Sequence, residues 1–141
     1  MELVYVDSNV FFYAKISDTE YGEACAKIIG DIADANLRTA TSTLAVLEVA
    51  NALKKYGLSD EVKDEIDAIY SLGMTLGPVD DTIVRLVGEI HRSAKISPYD
   101  CAHVATMKRL GITKILSADK NFDGIPGVQR IDPKTYAAKT Q

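Results

Sequence analysis

Cysteine is scarce in this chain of 141 residues, which contains only Cys25 and Cys101. Both lie in apolar helical patterns, so we expect two small buried thiols in a reducing compartment and no disulfide framework. No Cys and His residues have the spacing of a zinc site. These absences argue against a disulfide-rich secreted domain and against a zinc module.

The chain also lacks an excess of positive charge and a long apolar run. Its 16 Lys and Arg residues against 20 Asp and Glu residues give a net charge of −4. Proteins that bind nucleic acid by electrostatics alone are usually basic, so such a role would need a local basic rim or metal ions. Because no segment has the length of a membrane span or the pattern of a secretion signal, we expect a soluble, cytoplasmic protein.

The composition is that of an ordinary globular protein, with 47% hydrophobic and 26% charged residues. The length suits one domain, which we predict to cover residues 1–141. Short apolar runs alternate with helical patterns, which predicts an α/β fold with helices on both faces of a mostly parallel sheet. Strands are expected near residues 3–6, 37–41, 74–76, 115–117 and 128–131, and helices near 10–14, 20–35, 43–56, 60–72, 81–90, 98–110 and just after 132.

Asp7 directly follows the first apolar run, residues 3–6. The run predicts a strand buried on both faces, and Ser8 or Asn9 can cap the helix that follows. Asp7 is then expected at the carboxyl end of a central strand, where open α/β sheets bind their ligands. A role as a turn or cap residue is the alternative, but three more acids in comparable settings favour a functional role.

Glu48 lies in a helical segment, residues 44–53, that is apolar on nearly every side. An unpaired Glu is costly to bury there, and Ala45 is too poor a cap for Glu48 to belong to a capping box. Asn51 follows one turn later and can hydrogen-bond to Glu48. The alternative is an exposed Glu on a partly buried helix.

Asp100 follows Ser97 and Pro98 at the start of a predicted helix. This position suits a capping box and the helix dipole, yet the same helix start is expected to face the mouth of the sheet. His103 shares the face of Asp100. Since no second His or Cys accompanies it, we interpret His103 as a hydrogen-bonded structural residue and not as a metal ligand.

Asp119 follows the predicted strand 115–117 by two residues and should lie at the carboxyl end of that strand. Asp123 lies four residues further on, next to Gly124. Turn formation alone can explain both acids. We assign Asp123 to the turn and, because of its position after the strand, Asp119 to a functional site.

If Asp7, Glu48, Asp100 and Asp119 converge, their charges raise one another's pKa unless a cation is present. Hard divalent cations such as Mg²⁺ bind carboxylates, waters and phosphate oxygens. They can activate a water and stabilise a leaving oxygen, while Glu48 could orient the water as general base. This chemistry is phosphodiester hydrolysis.

Four motifs, in this order, resemble the PIN-domain family of metal-dependent ribonucleases over essentially the whole chain. The first has Asp7-Ser8-Asn9 where the family usually has Asp-Thr-Asn, and the fourth has Ser117 where Thr is commoner. The motifs cover residues 4–11, 42–53, 97–105 and 116–123, of which the third is the most specific.

The resemblance implies a three-layer α/β/α fold with a central sheet of about five strands. It implies Mg²⁺ or Mn²⁺ as cofactor, with Asp7 and Asp100 as the principal ligands and Glu48 and Asp119 completing the set directly or through water. Small family members are often VapC-type toxins of toxin–antitoxin pairs. The implied function is therefore an endoribonuclease that acts on RNA, forms a homodimer and is blocked by a small antitoxin protein.

The main alternative is a non-catalytic module that binds RNA or a protein through the same groove, against which the intact acids argue. A receiver domain needs paired acids after the first strand, and a haloacid-dehalogenase-type phosphatase needs Asp-x-Asp there, so neither fits. Residues that could contact RNA phosphates, although such spacing is typical of solvated helix faces, are Lys15, Lys54, Lys55, Arg85, Arg92, Lys95, Arg109 and Lys120.

Overall fold

The computed structural model describes residues 1–140, in which a five-stranded sheet is flanked by seven α-helices. The strands are β1 (Val4–Val6), β2 (Thr39–Ser42), β3 (Thr75–Gly77), β4 (Lys114–Leu116) and β5 (Gln129–Ile131). The helices are α1 (Ser8–Lys15), α2 (Gly22–Ala33), α3 (Thr43–Lys55), α4 (Val62–Tyr70), α5 (Asp81–His91), α6 (Pro98–Arg109) and α7 (Pro133–Lys139). The predicted three-layer α/β/α architecture is confirmed.

Strand β1 lies at the centre of the sheet and is buried on both faces, as its apolar run predicts. Val4 and Val6 pack with residues of α1, α2, α3 and α4 on one side. Tyr5 points to the opposite side and packs with residues of α6. This alternation follows from the two-residue period of a strand, and it directs the Tyr5 side chain towards α6.

Side-chain caps begin several helices where the sequence predicts them. Ser42 and Ser97 accept hydrogen bonds from the backbone N–H groups of Ala45 and Asp100, each at 3.1 Å, at the starts of α3 and α6. The prediction for α1 is wrong, because its cap is Asp7 and not Ser8 or Asn9. Helix α4 starts without a side-chain cap, since the chain enters it through a 3₁₀ turn at Ser59–Glu61.

Gly57 and Gly111 directly follow the C-cap residues of helices α3 and α6. Their φ angles of +85° and +70° lie in the left-handed region that glycine adopts without strain. The N–H of Leu58 then bonds the carbonyl of Leu53 at 2.8 Å, which closes the last turn of α3. Both ends are therefore determined locally by sequence.

The order of the strands determines where a ligand can bind. All neighbouring strands are parallel, in the order β3-β2-β1-β4-β5. The chain proceeds from β1 to β2 and β3 on one side, and then crosses to β4 and β5 on the other. The carboxyl ends of β1 and β4 therefore border a topological switch point, where open α/β sheets form a crevice. In residues 1–140 no helix has both the length and the apolar character needed to cross a membrane.

Candidate active site

The crevice between β1 and β4 is bordered by residues that directly follow the two strands. Val6 pairs with Leu116 in parallel register, so Asp7 and Ser117 occupy equivalent positions. The backbone N–H of Asp7 bonds the carbonyl of Leu116 at 3.0 Å. The predicted position of Asp7 at the carboxyl end of a central strand is thereby observed.

Asp7 is 4% exposed, and its carboxylate accepts hydrogen bonds from three residues. Its Oδ2 accepts hydrogen bonds from the Ser117 hydroxyl at 2.6 Å and from the Asn9 amide at 3.1 Å. Its Oδ1 accepts one from the backbone N–H of Ser8 at 2.8 Å. Asp7 thus caps α1, and its carboxylate also faces the crevice.

Burial raises the pKa of Asp7 above its usual value, although the charge of His103 and the bonds from Ser117 and Ser8 act in the opposite direction. The negative charge of Glu48 adds to the increase. An isolated carboxylate in this position is costly to ionise. A cation in the crevice would remove that cost.

Glu48 extends from α3 towards Asp7, with 31% of its side chain exposed. Its Oε1 lies 2.6 Å from Nε2 of His103. The predicted bond to Asn51 does not form, and Asn51 faces solvent. A hydrogen bond between α3 and α6 therefore explains why a Glu occupies a helix position with apolar neighbours on nearly every side.

His103 is almost fully buried, and both ring nitrogens have partners. Its Nε2 donates to Glu48, and its Nδ1 lies 2.7 Å from the Tyr5 hydroxyl. Burial lowers the pKa of His103, but the bond to Glu48 and the charges of Asp7, Glu48 and Asp100 outweigh this effect and raise it overall. The interpretation of His103 as a hydrogen-bonded histidine agrees with these contacts.

Asp100 lies in the first turn of α6, next to the Ser97 cap. Burial raises the pKa of Asp100, and the charges of Asp119 and Asp7 raise it further, against smaller opposing effects of His103 and Ser97. The charge of the Asp100 carboxylate therefore interacts with those of Asp119 and Asp7. This coupling is what a shared cation site requires.

Asp119 follows β4 and caps the short 3₁₀ turn at Lys120–Phe122. Its Oδ1 accepts a bond from the N–H of Asn121 at 2.9 Å, and its own N–H donates to the Ser117 hydroxyl at 2.9 Å. Asp123 instead forms an ion pair with Arg130 at 2.8 Å on the surface. The structure thus places Asp119 beside the crevice and Asp123 in a surface ion pair.

Three side chains are close enough to share one ion. Ligand atoms of Asp7, Glu48 and His103 all lie within 4.8 Å of one another. Asp100 and Asp119 lie outside this tight group, although their charges couple to it. Sequence reasoning placed His103 on the face of Asp100 but did not assign it to the site. The available sequence signal was a polar side chain in an otherwise apolar helix three residues after a candidate ligand.

The donor set of this crevice fits a divalent cation that prefers oxygen. Carboxylate oxygens keep lone pairs for a cation beside the hydrogen bonds that they accept, whereas both nitrogens of His103 are already engaged in hydrogen bonds. Mg²⁺ and Mn²⁺ prefer carboxylate oxygens to imidazole. We therefore exclude His103 from the ligand set and assign it to the surroundings of Glu48.

Two shallow clefts open beside Glu48. One is lined by Ser8, Asn9, Phe12, Tyr13, Glu48, Val49 and Ala52, and the other by Leu44, Leu47, Glu48, Asn51 and Tyr99. Of the basic residues proposed to contact phosphates, Lys15, Arg92 and Arg109 form ion pairs with Glu61, Glu89 and Asp80. The charges of these three residues are therefore partly compensated.

Sequence comparison relates this chain to nucleases. A family model described as the PIN domain matches residues 4–128. Similar proteins include a VapC ribonuclease of Mycobacterium bovis and ribonuclease VapC13 of Mycobacterium tuberculosis. Each is 22% identical over 130 residues, which cover 92% of this chain and 99% of the relative.

Structural comparison identifies the same fold in solved structures. Mycobacterium tuberculosis VapC20, described as a sarcin-ricin loop cleaving toxin, aligns with a TM-score of 0.73 and 14% identity over 89% of this chain and 98% of its own. VapBC2 from Rickettsia felis, bound to a promoter DNA fragment, aligns with a TM-score of 0.69 and 13% identity over 92% and 97%. At such identities the likeness concerns the fold alone.

Proposed function

This chain belongs to the PIN domain family, and on that premise we propose that residues 1–141 form a single nuclease domain that hydrolyses RNA phosphodiester bonds with Mg²⁺ or Mn²⁺. The observation that carries the proposal is the buried Asp7 carboxylate at the switch point of the sheet, coupled by charge to Glu48 and Asp100. The basic group beside Asp7 is His103, whose Nε2 lies 3.8 Å from Oδ1 of Asp7 and is itself bonded to Glu48, whereas Asp123 has a close partner in Arg130.

The four predicted acids have different roles in this proposal. Asp7 and Asp100 hold the cation, and Asp119 completes the set directly or through water. A bound divalent cation supplies Lewis-acid stabilisation of the charge that develops on the phosphate oxygens. No side-chain nucleophile is required, since water is the attacking group.

Glu48 is suited to orient that water. Its Oε1 is occupied by His103, while Oε2 has no hydrogen bond among the described residues and lies at the border of both clefts. A positioned carboxylate can accept a proton from the attacking water as general base. Glu48 therefore acts beside the cation and not as a principal ligand.

The biological role that we propose is the toxin of a VapBC-type pair, acting in the cytoplasm where its RNA substrate is found. Support comes from relatives named as VapC ribonucleases and from similar folds in VapBC complexes. A small antitoxin protein is then the expected partner, and a homodimer the expected assembly. A short gene next to the reading frame would agree with this role.

A non-catalytic module that binds RNA or protein is the competing function. It would not need four acids around one crevice, because their repulsion costs stability without a cation. Burial is the largest cause of the raised pKa values of Asp7 and Asp100, and the charges of neighbouring acids raise both further. A catalytic function that uses a cation accounts for this cost in stability, whereas a non-catalytic binding module gives no reason for it.

The decisive experiment incubates purified protein with structured RNAs in Mg²⁺, in Mn²⁺ and in EDTA. We expect cleavage with either cation, none in EDTA, and none from Asp7→Asn. Cleavage that survives EDTA and this substitution would overturn the proposed chemistry. RNA binding without cleavage by any preparation would favour the non-catalytic module.

A further inference from the structure

Beneath the crevice, a hydrogen-bond network that we call the circuit joins four side chains in the order Ser42, Tyr5, His103 and Glu48. The Tyr5 hydroxyl donates to Oγ of Ser42 at 2.8 Å and lies 2.7 Å from Nδ1 of His103, and Nε2 of His103 bonds Glu48 at 2.6 Å. Ser42 also caps α3, the helix that carries Glu48. The circuit therefore links β1, the end of β2, α3 and α6.

Glu48 depends on this circuit for its orientation. It is a long side chain with several rotatable bonds, and in residues 1–140 its carboxylate has no hydrogen-bond partner besides His103. Holding such a side chain in one rotamer costs conformational entropy. A single strong bond to a fixed donor is what compensates that cost here.

His103 is a rigid donor because its surroundings fix the ring. The ring lies edge-on against Tyr5, with centroids 5.7 Å apart, and against Phe122 at 6.3 Å. Tyr5 and Ser42 are fully buried, and His103 is 1% exposed. Rotation of the imidazole would leave a buried nitrogen without a partner, which is costly.

We propose that Tyr5 and Ser42 are positioning residues that act through His103 to hold the Glu48 carboxylate in one orientation beside Asp7. The inference rests on the proposed function, in which Glu48 orients the attacking water. Residues that hydrogen-bond the groups of a metal centre typically change metal affinity or activity 10- to 100-fold when altered. The alternative is that the circuit only satisfies buried polar groups and stabilises the fold.

The first test compares Tyr5→Phe with Tyr136→Phe. Tyr136 donates its hydroxyl to Asp31 at 2.8 Å, away from the crevice, so its variant loses a hydrogen bond without affecting Glu48. We expect Tyr5→Phe to lower kcat about tenfold with KM for RNA unchanged, and Tyr136→Phe to change neither. An unchanged kcat in Tyr5→Phe would overturn the proposal.

A double-mutant cycle tests whether Tyr5 acts through His103. His103→Gln retains an N–H donor for Glu48 but has no counterpart of Nδ1. We expect Tyr5→Phe to cause no further loss of kcat in the His103→Gln background. Losses that multiply independently would overturn the route through His103.

A third pair of variants tests the same proposal if Tyr5→Phe does not fold. We expect His103→Gln to lower kcat about tenfold, as Tyr5→Phe does, because it can still donate to Glu48 but has lost the contact with Tyr5, and His103→Leu to lower it about 100-fold. Equal losses in both variants would overturn the proposal. Circular dichroism of each variant establishes that folded protein is compared.

A nuclear magnetic resonance measurement needs neither RNA nor metal. Imidazole N–H protons of His103 should be protected from exchange in the metal-free protein, since the ring is buried and both nitrogens are bonded. We expect the Nε2 proton signal to be lost in Glu48→Ala, which removes the acceptor, and broadened in Tyr5→Phe. A sharp, unshifted signal in both variants would overturn positioning. If the parent protein fails to cleave RNA, the proposed function fails, while this measurement still decides the circuit.

Discussion

The Ser117 hydroxyl donates a 2.6 Å hydrogen bond to Oδ2 of Asp7, although the two residues are 110 positions apart. The same hydroxyl oxygen accepts a bond from the N–H of Asp119. Ser117 therefore joins the acid after β1 to the acid after β4. This contact couples two halves of the proposed cation site.

Replacing Ser117 tests that coupling. Ser117→Ala removes the donor to Asp7 and the acceptor for Asp119, so we expect the affinity for Mn²⁺ to fall roughly tenfold. Ser117→Thr keeps the hydroxyl and should retain most of the affinity. Isothermal titration calorimetry measures both, and equal affinities of Ser117→Ala and the parent protein would contradict the prediction.

Asp100→Asn should lower RNA cleavage without lowering the stability of the fold. We expect RNA cleavage to fall at least about 100-fold, as befits loss of a cation ligand. The metal-free protein should become slightly more stable at neutral pH, by less than about 1 kcal/mol, because the variant removes the burial of a charge and its repulsion by Asp119 and Asp7, which together raise the pKa of Asp100. Urea unfolding with EDTA measures the stability.

Asp123→Asn is the matched control for Asp100→Asn. Asp123 lies in a surface ion pair with Arg130, and its pKa is lowered by that partner instead of raised. We expect full cleavage activity and no gain in stability. A loss of activity equal to that of Asp100→Asn would show that the two acids do not differ as assigned.

Cation binding should weaken as the pH falls. A carboxylate must lose its proton to bind a cation, and the pKa values of Asp7 and Asp100 are raised. Protons therefore compete with the cation at a higher pH than they would for ordinary aspartates. Below the pKa, each proton that the cation must displace lowers the cation affinity about tenfold per pH unit. Mn²⁺ titrations between pH 7.5 and 5.0 measure this slope, which pH-independent binding would contradict.

Asp80 provides a prediction away from the site. Its carboxylate accepts two bonds from Arg109, at 2.8 and 3.0 Å, and one from the N–H of Ile83. These partners lower its pKa to about 2. A lowered folded-state pKa stabilises the protein above the unfolded value of 3.8 and loses that effect as the pH falls towards 2.

Asp80→Ala should accordingly lower the Tm at neutral pH by a few degrees, ~2–4 °C, through loss of the cap of α5. The difference from the parent protein should shrink between pH 4 and pH 2. Asp81→Ala is the control, because the neighbouring acid does not provide the cap. RNA cleavage should be retained in both variants, as measured at neutral pH.

The sequence predicted the element order and the four acids because those features are encoded locally. Two-residue and helical periodicities mark strands and helices, and each carboxylate stands at a strand end, at a helix start or in an unfavourable helical position. The cap of α1 was predicted wrongly for a local reason as well, since Asp7, Ser8 and Asn9 are all good caps. In the folded protein, Asp7 is the residue that caps the helix.

The sequence by itself determined an α/β chain whose Asp7, Glu48, Asp100 and Asp119 recur at positions typical of a PIN domain. Only the tertiary structure decided that His103, 55 residues from Glu48, supplies its hydrogen bond, and that Tyr5 and Ser42 complete the circuit. The physical reason is that strand order and helix packing bring these groups together, and no periodicity in the chain records which distant side chains will meet.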